Sequence, residues 1–595
     1  FLAPTGKARV RMQKLSKIKG VKVSTIAQFL IGYNRFNPKL QQYVFSDKYC
    51  EGLFQTVVID ESSMMTEEML ATLLDCFKGT KRFILVGDHR QLPPIGAGRP
   101  FTDIIKYLEP ENIDAMFPIV GNGYAELTIR GRQKGAHRED LQLAEWFSGN
   151  KLGAGDDKII NEILAGKKSK YLELKNWNTE EEFTTCFEEV LRDEFGITDS
   201  KSFSKSLGSS DGTYFNSSKD ASYFKIEPSI GKIEDWQVLS PIKEKAHGVK
   251  AINRKLHKRF KQEQLNYVNG KNKRNVYDMP KLPKPLGSEE ILYGDKVINL
   301  TNTSRKKAYP DNGLNYLANG EIGLLVGEHN RTKSKKQPKR NFVEFSSQVG
   351  STYTFYDSDF KDEGDSSLEL AYAITVHKSQ GSEFEKVILV VPDPCFLLTR
   401  EMLYTALTRQ KQKVIILYQG DQFKIKELSS PIHSDTLSRI TNLFVTPEMV
   451  VVDEKKEKYL EKNLIHQASD GKLLRSKSEL LIYQQLLNNE LTPLYEKPLI
   501  IKEVEKLPDF TIMDEYSDKI YYWEHCGMMH DKEYRERWEE KKQWYKENNI
   551  LPLEEGGGEN GILIATYDTV VEIDNKTMGA FSVKQVDEFI NQIKE

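Results

Sequence analysis

Two short apolar runs near the start of the chain each end in acidic residues. Asp60 and Glu61 follow the run at 57–59, and Asp88 follows the run at 83–86. An aspartate in such a position can hold Mg²⁺ through its water shell. A neighbouring glutamate can orient or deprotonate a water that attacks a γ-phosphate. The residue types and their spacing therefore predict phosphate chemistry.

The elements that would position these acids are strands of a parallel sheet. Runs of this length, rich in β-branched residues and bounded by polar ones, predict buried parallel strands. Open α/β sheets bind ligands at the carboxyl ends of their strands, so the acids should share one edge. Gln91, a few residues beyond the second run, is then placed to sense the phosphate. One strand ending in Asp-Glu is common, but two in tandem, the second followed by GDHRQLPP, are far more specific.

Composition limits the class of protein. The 595 residues allow about three or four domains, and no apolar run approaches the ~18 residues of a membrane span. The five cysteines are odd in number and form no C-x-x-C pair, which predicts a reduced, cytoplasmic protein without structural zinc. A net charge of −2 gives no overall nucleic-acid signature, so any basic surface must be local.

The two acidic segments carry a family resemblance. DESS at 60–63 and GDHRQLPP at 87–94 resemble motifs II and III of superfamily 1 helicases, specifically of the RecD-like branch. The resemblance implies ATP and Mg²⁺ as ligands, with the metal on Asp60. It also implies catalytic roles for Asp60, Glu61 and Gln91 and a nucleotide contact for Asp88.

Three later stretches resemble further motifs in the family's order. Motifs IV, V and VI are resembled by ELTIRGRQ at 126–133, by the 370–392 stretch that contains TVHKSQG, and by EMLYTALTRQ from 401. The resemblance implies γ-phosphate contacts from Arg132 and from Arg409, the latter as an arginine finger. It also implies two sets of loop residues: Gly381 and Glu383 toward the nucleotide, and Thr375, His377 and Lys378 on the DNA backbone.

The N-terminal Gly6-Lys7 pair is not a Walker A motif. That motif needs a glycine five residues earlier and a hydroxyl residue after the lysine, where this chain has Phe1 and Ala8. The segment instead resembles motif Ia of the family, which contacts single-stranded DNA through residues matching Pro4, Thr5, Gly6 and Lys7. We therefore expect a fragment of a longer protein whose Walker A motif precedes Phe1.

The resemblance implies an α/β architecture with two RecA-like parallel-sheet domains and a small SH3-like β-barrel insertion. A C-terminal module resembles the PD-(D/E)XK, or restriction-endonuclease-like, fold. The expected boundaries are 1–233 for the first RecA-like domain with a flexible insertion at about 198–224, 234–443 for the second with the SH3-like insertion at about 300–367, 444–464 for a linker, and 465–595 for the nuclease-like domain.

The nuclease resemblance implies a second set of acids. Asp509 and Glu524 stand at facing ends of two predicted strands and would bind Mg²⁺, with Glu479 as a third carboxylate. Two residues beyond Glu524, where the pattern has lysine, stands Cys526. Lys541 on the next helix is the first substitute for that lysine.

His525 is another substitute for the missing lysine. Three interpretations of this module stay open: an active nuclease, a degenerate DNA-binding version, and an unrelated fold.

The implied function is ATP-driven translocation on DNA and unwinding of it, in a branch that usually moves 5′ to 3′. The pathway would be repair, recombination or defence against foreign DNA, the partner single-stranded or tailed duplex DNA, and no membrane would be involved. The alternatives are a non-hydrolysing DNA-binding scaffold with nuclease activity only, and an RNA helicase.

Overall fold

The computed structural model divides the chain into two compact units. Unit 1 comprises Phe1–Pro94 and Arg99–Ser438, and unit 2 comprises Ile95–Gly98 and Arg439–Glu595. The structure describes residues 1–16, 23–37, 42–45, 52–110, 119–127, 138–150, 169–209, 231–269, 285–304, 307–309, 316–326, 341–356, 359–360, 366–395, 397–439, 443–444, 466–468, 472–474, 476–489, 491–502, 504–514, 519–527, 529, 532–573, 576–580 and 582–594.

Unit 1 begins with a four-stranded parallel sheet, here called the first sheet. Its strands lie in the order Ser24–Thr25, Leu2–Ala3, Thr56–Ile59, Arg82–Leu85. Three helices flank these strands, each with a threonine hydroxyl capping its first turn: Gly6–Leu15, Ile26–Ile31 and Glu67–Cys76. Such caps satisfy amide groups that the first helical turn leaves unbonded. The two acidic runs of the sequence are thus adjacent parallel strands.

A second parallel sheet, here called the second sheet, has five strands. Their order is Ala373–Thr375, Trp236–Ser240, Phe384–Val391, Gln410–Gln419, Leu172–Trp177. The α/β prediction with parallel sheets is confirmed. The strand Leu172–Trp177 lies within the expected first domain, 1–233, yet it pairs with Gln410–Gln419. A boundary at 233 therefore does not separate the two sheets.

An antiparallel sheet, here called the inserted sheet, lies between two strands of the second sheet in the sequence. Its six strands follow the order Lys307–Tyr309, Thr352–Phe355, Asn341–Phe345, Ile322–Val326, Lys296–Asn299, Leu368–Leu370. It extends slightly beyond the expected 300–367 at both ends, because Lys296–Asn299 pairs with Leu368–Leu370. The SH3-like character of this insertion stays a prediction.

Eight further helices of unit 1 are described: Pro100–Leu108, Glu139–Trp146, Glu180–Phe195, Ser200–Ser206, Val249–Val268, Arg400–Leu407, Gln422–Glu427 and Asp435–Ser438. The helix Ser200–Ser206 lies where a flexible insertion was expected at about 198–224. Its Phe203 is fully buried and stacks on Phe260 with ring centroids 4.6 Å apart. The expectation is wrong for this part, since an aromatic side chain anchors it in the core. Residues 210–224 lie outside the described residues.

Unit 2 is built on a five-stranded mixed sheet. The strand order is Pro493–Tyr495, Phe510–Met513, Ile520–Cys526, Gly561–Tyr567, Ile550–Pro552, the first three antiparallel and the last three parallel. Its helices are Lys477–Asn488, Lys532–Glu547 and Val583–Lys594. Its described residues also form three two-stranded ribbons: His466–Gln467 with Leu473–Leu474, Leu499–Ile501 with Val504–Lys506, and Thr569–Ile573 with Lys576–Ala580.

Alternate residues of the central strand Ile520–Cys526 enter different cores. On one face of the strand, Trp523 packs with residues of the helices Lys477–Asn488 and Val583–Lys594. On the other face, Tyr522 and Cys526 pack with Trp538 and Tyr545. This alternation is what a strand buried on both faces produces. The expected linker, 444–464, lies almost entirely outside the described residues. No helix in the described ranges is long and apolar enough to cross a bilayer.

Candidate functional site

The two acids predicted to carry phosphate chemistry, Asp60 and Glu61, follow the strand Thr56–Ile59 at the carboxyl edge of the first sheet. The Asp60 amide donates to the Leu2 carbonyl at 3.0 Å, and one Asp60 oxygen accepts the Glu61 amide at 3.0 Å. Glu61 has a left-handed backbone, with φ of 52°, which non-glycine residues adopt uncommonly and at some cost. The chain therefore turns sharply at the two acids, and both side chains are half-buried.

The loop after the second acidic strand runs against this turn. The Ser62 amide donates to the Val86 carbonyl at 2.8 Å. A Cβ added at Gly87 would come within 3.0 Å of the Ser62 nitrogen and 3.1 Å of the Ser63 nitrogen. Glycine is thus required here for close approach of the two loops.

Asp88 is held by groups from both sheets. Arg90 Nε donates to Asp88 Oδ1 at 2.9 Å, and the Tyr404 hydroxyl donates to Oδ2 at 2.9 Å. Gln91 Nε2 approaches Oδ2 at 3.5 Å, the limit of a hydrogen bond. Burial alone would raise the pKa of Asp88, but the Arg90 charge and these hydrogen bonds hold that pKa below its usual range. The Asp88 carboxylate is therefore charged at neutral pH.

Arg409 lies at the end of the helix Arg400–Leu407 and is 4% exposed. Its Nε donates to the Thr405 carbonyl at 3.0 Å and its Nη1 to the Ser382 carbonyl at 3.4 Å. Ser382 adjoins Gly381, which has a left-handed φ of 71° and open space where a Cβ would stand. Arg409 therefore contacts the loop that contains Gly381. The other predicted arginine, Arg132, lies outside the described residues.

Two of the N-terminal residues predicted to touch DNA, Gly6 and Lys7, contact other parts of unit 1. Lys7 Nζ donates to Ser382 Oγ at 2.7 Å and pairs with Glu234 at 3.4 Å. A Cβ at Gly6 would fall 1.9 Å from the Cβ of Ala318, which lies between two strands of the inserted sheet in the sequence. Pro4 and Thr5 precede the helix Gly6–Leu15, and the Thr5 hydroxyl caps it.

Glu383, predicted to face the nucleotide, pairs instead with Arg11 at 2.8 Å. Of the second DNA set, Thr375 ends a strand and its hydroxyl accepts the Lys378 amide at 3.3 Å. Lys378 Nζ pairs with Glu369 at 3.0 Å. His377 begins a single 3₁₀ turn, His377–Ser379. The DNA roles of these residues stay predictions.

In unit 2, Asp509, Glu524 and Lys541 lie at the central strand Ile520–Cys526. We call these three residues the carboxylate site. Glu524 is 5% exposed, and its Oε1 accepts both Lys541 Nζ and the Tyr545 hydroxyl at 2.6 Å. Asp509 directly precedes the neighbouring strand, Phe510–Met513, and its Oδ2 accepts the His525 amide at 2.6 Å. Lys541, rather than Cys526, therefore supplies the cation at Glu524.

Burial and mutual repulsion govern the ionisation of these groups. Burial and then the charges of Glu524 and Glu479 raise the pKa of Asp509 well above its usual value. Burial also raises the pKa of Glu524, despite the opposing effect of Lys541. Crowded acids of this kind are destabilising unless a cation or proton offsets them.

His525 is not a substitute for the missing lysine. It follows Glu524 in the strand, so its side chain points to the other face. There its Nδ1 lies 3.0 Å from Thr566 Oγ1 and its Nε2 lies 3.3 Å from Asp568. Burial lowers the pKa of His525, and the neutral ring helps to join two strands.

Glu479, predicted as a third metal ligand, is engaged elsewhere. Its Oε2 accepts the Tyr495 hydroxyl at 2.5 Å, and its Oε1 accepts the Ser476 hydroxyl at 3.0 Å. Across the part of the chain that the structure describes, no group of three or more His, Cys, Asp or Glu side chains is arranged to hold a metal ion. The structure thus does not bring Glu479 into one ligand group with Asp509 and Glu524.

Sequence reasoning missed three polar residues of these sites: Tyr404, Thr405 and Tyr545. The first two lie in the YTALTR stretch, in which the family resemblance assigns a role only to the arginine. Tyr545 stands four residues after Lys541. Residues four apart share a helix face, so that spacing was the available signal.

Two protein-family models match segments of this chain, one at its start and one in the second sheet and its loops. A model described as an AAA domain matches residues 1–114, and one described as a UvrD-like helicase C-terminal domain matches residues 370–417. The RecD subunit of the RecBCD enzyme of Haemophilus influenzae is 24% identical over 455 residues, 70% of this chain and 61% of that subunit. The chain is thus similar in sequence to RecD-like superfamily 1 helicases. The RecD2 DNA helicase of Deinococcus radiodurans is 22% identical over 69% of this chain and 41% of that protein.

Another match covers most of this chain. An uncharacterised protein of Methanocaldococcus jannaschii is 27% identical over 583 residues, 93% of this chain. The chain spans only 45% of that protein. Among solved structures, a Bacteroides Pif1 helicase with ADP-AlF3 and single-stranded DNA aligns with 77% of this chain and 87% of its own, at 18% identity and a TM-score of 0.31.

Proposed function

We propose that unit 1 is an ATP-driven motor that translocates on DNA and unwinds it. One observation supports this most: the loop after Arg82–Leu85 in the first sheet is hydrogen-bonded to the helix Arg400–Leu407 of the second. Asp88 accepts a hydrogen bond from the Tyr404 hydroxyl, and the Leu92 amide donates to Thr405. The Thr405 carbonyl in turn accepts Arg409 Nε. Two parallel sheets that meet through phosphate-sensing loops form the kind of cleft that nucleotide hydrolysis can close.

The donor set at the first sheet fits a hydrated Mg²⁺. Asp60 commits one oxygen to the Glu61 amide and is half-exposed, which suits coordination through water. Bound Mg²⁺ would offset charge on the β- and γ-phosphates. Glu61 then orients the attacking water and accepts its proton, and Gln91 contacts the γ-phosphate. Arg409 exchanges its carbonyl partners for the phosphate oxygens as the cleft closes.

DNA-stimulated ATP hydrolysis by the full-length protein tests this proposal. Glu61→Gln should lower the rate of ATP hydrolysis about 100-fold or more, because it removes the base. It should leave DNA binding intact, because it preserves the shape of the side chain. Glu68→Gln, an exposed residue in the next helix, is the matched control. Wild-type protein without DNA-stimulated hydrolysis would instead support a non-hydrolysing DNA-binding scaffold.

The nucleic acid and the direction of movement need their own measurement. We propose DNA, 5′ to 3′ movement, and a role in repair, recombination or defence against foreign DNA, all on the resemblance to RecD-like helicases. Hydrolysis stimulated equally by RNA would favour an RNA helicase, since RNA recognition depends on the 2′-hydroxyl. Unwinding of duplexes with only a 5′ or only a 3′ tail gives the polarity.

We propose phosphodiester cleavage as a second activity, located at the carboxylate site of unit 2. The observation that favours it is the convergence of Asp509, Glu524 and Lys541, two repelling carboxylates beside one amine. The two carboxylates would hold Mg²⁺, which would supply charge stabilisation and an activated water. Lys541 is placed to orient Glu524 and to stabilise negative charge on the phosphate.

Cleavage of labelled single-stranded and duplex DNA with and without Mg²⁺ tests the second activity. Asp509→Asn and Glu524→Gln should each remove cleavage, and both should weaken Mn²⁺ binding measured by calorimetry. Metal-independent DNA binding without cleavage in the wild type would indicate the degenerate DNA-binding version.

A further inference from the structure

The helix Arg400–Leu407 holds a single residue of the opposite loop by its backbone. Thr405 is fully buried, and its hydroxyl accepts the Leu92 amide at 2.9 Å. The Leu92 carbonyl accepts Gln380 Nε2 at 3.3 Å. Leu92, 1% exposed, is therefore clamped between the helix Arg400–Leu407 and the 375–383 loop. We call this arrangement the Leu92 clamp.

Thr405 also positions the arginine predicted to reach the γ-phosphate. Its carbonyl accepts Arg409 Nε at 3.0 Å. One residue thus contacts the sensing loop with its hydroxyl and Arg409 with its carbonyl. A shift of Leu92 toward or away from the helix must move the support of Arg409 as well, because a buried amide is costly to leave unbonded.

Tyr404 contacts the same loop one residue earlier. Its hydroxyl donates to Asp88 Oδ2, and its ring lies beneath the Arg90 guanidinium, 5.5 Å from the ring centroid. Arg90 in turn donates to Asp88 Oδ1 at 2.9 Å. Asp88, Arg90 and Tyr404 thus contact one another and hold the start of the loop at 87–92, while the Leu92 clamp holds its end.

Gln380 extends these contacts to the loop predicted to hold DNA. It directly follows the 3₁₀ turn His377–Ser379, and its own amide donates to the His377 carbonyl at 3.2 Å. The loop at 87–92 is therefore linked by hydrogen bonds both to Arg409 and to the 375–383 loop.

We propose that Tyr404 and Thr405 are positioning residues that couple the loop at 87–92 to Arg409 and to the 375–383 loop. The coupling rests on the proposed ATP-driven function. Neither residue contacts the reacting atoms. Their contacts make the loop at 87–92, Arg409 and the 375–383 loop move together.

The sharpest variant is Thr405→Val, which keeps the side-chain shape and removes the acceptor of the Leu92 amide. We expect kcat for DNA-stimulated hydrolysis to fall about 10-fold or more, with KM for ATP changed less than about 3-fold. Base pairs unwound per ATP should also fall. Thr405→Ser, which retains the hydroxyl, should restore both. Thr354→Val, a buried threonine of the inserted sheet, is the matched control.

Tyr404→Phe provides an independent variant if Thr405→Val does not fold. It removes only the donor to Asp88, and Tyr418→Phe in the second sheet is its control. The same loss in kcat and in base pairs per ATP is expected. Wild-type values in a folded Thr405→Val or Tyr404→Phe would overturn the coupling.

Hydrogen exchange without nucleotide separates failure of the coupling from failure of the proposed function. Thr405→Val should speed exchange in peptides covering 87–95 and also in those covering 375–383. Faster exchange limited to 87–95 would overturn the coupling, whether or not the protein hydrolyses ATP. Absence of hydrolysis in the wild type, with exchange changed in both peptides, would refute the ATP-driven function but leave the linkage of the loops established.

Discussion

Replacing Lys541 by methionine tests the electrostatics of the carboxylate site most directly. The change removes the amine that donates to Glu524 Oε1 at 2.6 Å and to the Leu507 carbonyl at 2.7 Å, while keeping the length of the side chain. Glu524 is then left as a buried carboxylate whose hydrogen bond from the Tyr545 hydroxyl remains. Breaking a buried ion pair costs about 3–5 kcal/mol. Lys541 is 24% exposed, so water reduces the loss to about 2–3 kcal/mol.

The loss should depend on pH in a stated direction. Without Lys541 the pKa of Glu524 rises further above its unfolded value, so stability falls as pH increases from about 4 toward the folded pKa. Protonating a carboxyl of ordinary pKa costs about 4 kcal/mol at pH 7.5 but only about 1.6 kcal/mol at pH 5.5. The loss should therefore be about 2–3 kcal/mol at pH 7.5 and no more than about 1.6 kcal/mol at pH 5.5.

Hydrogen exchange of peptides from the strand Ile520–Cys526 measures this loss within the full-length protein. Lys546→Met is the control, because Lys546 is exposed on the same helix. Equal losses for the two variants, or an equal loss at both pH values, would refute an ion pair that supports Glu524.

Three further outcomes are expected. Gly87→Ala should lower kcat for ATP about 10-fold by pushing its Cβ toward the Ser62 nitrogen, 3.0 Å away, whereas Gly231→Ala, with open space around it, should not. Burial lowers the pKa of Lys296 to about 7, so its contribution to stability should rise between pH ~7 and ~10 as the unfolded lysine still binds a proton; urea unfolding of Lys296→Met should lack that rise. Asp509→Asn should raise the melting temperature at pH 7.5, since the raised pKa of Asp509 makes the charged form unfavourable, and added Mg²⁺ should stabilise the wild type but not this variant.

Local patterns in the sequence were sufficient for the strands that carry the first acids. The runs at 57–59 and 83–86 are apolar, short and bounded by polar residues, and they form neighbouring parallel strands. The α/β class followed from them. The pairing of Leu172–Trp177 with Gln410–Gln419 could not be predicted in this way, because LELKNW carries no local sign of which sheet it joins.

Partners distant in sequence explain why the site was only partly predicted. Lys7 resembles a DNA-contacting residue, yet its partners Glu234 and Ser382 lie 227 and 375 residues away. Charge alone predicts that a lysine needs an acceptor, not which acceptor tertiary structure supplies. Lys541 follows instead from the nuclease resemblance, in which a lysine on the next helix can reach the space beside the strand.

The edge position of Leu172–Trp177 has a consequence for how the protein can be divided. A fragment that starts at residue 234 would leave Gln410–Gln419 as the outermost strand of its sheet, with five of its residues, Val414–Tyr418, buried in the intact chain. A long, apolar, unprotected edge is a template for pairing with other chains. Such a fragment should self-associate, whereas one that starts near residue 169 keeps its own edge covered and should stay monomeric.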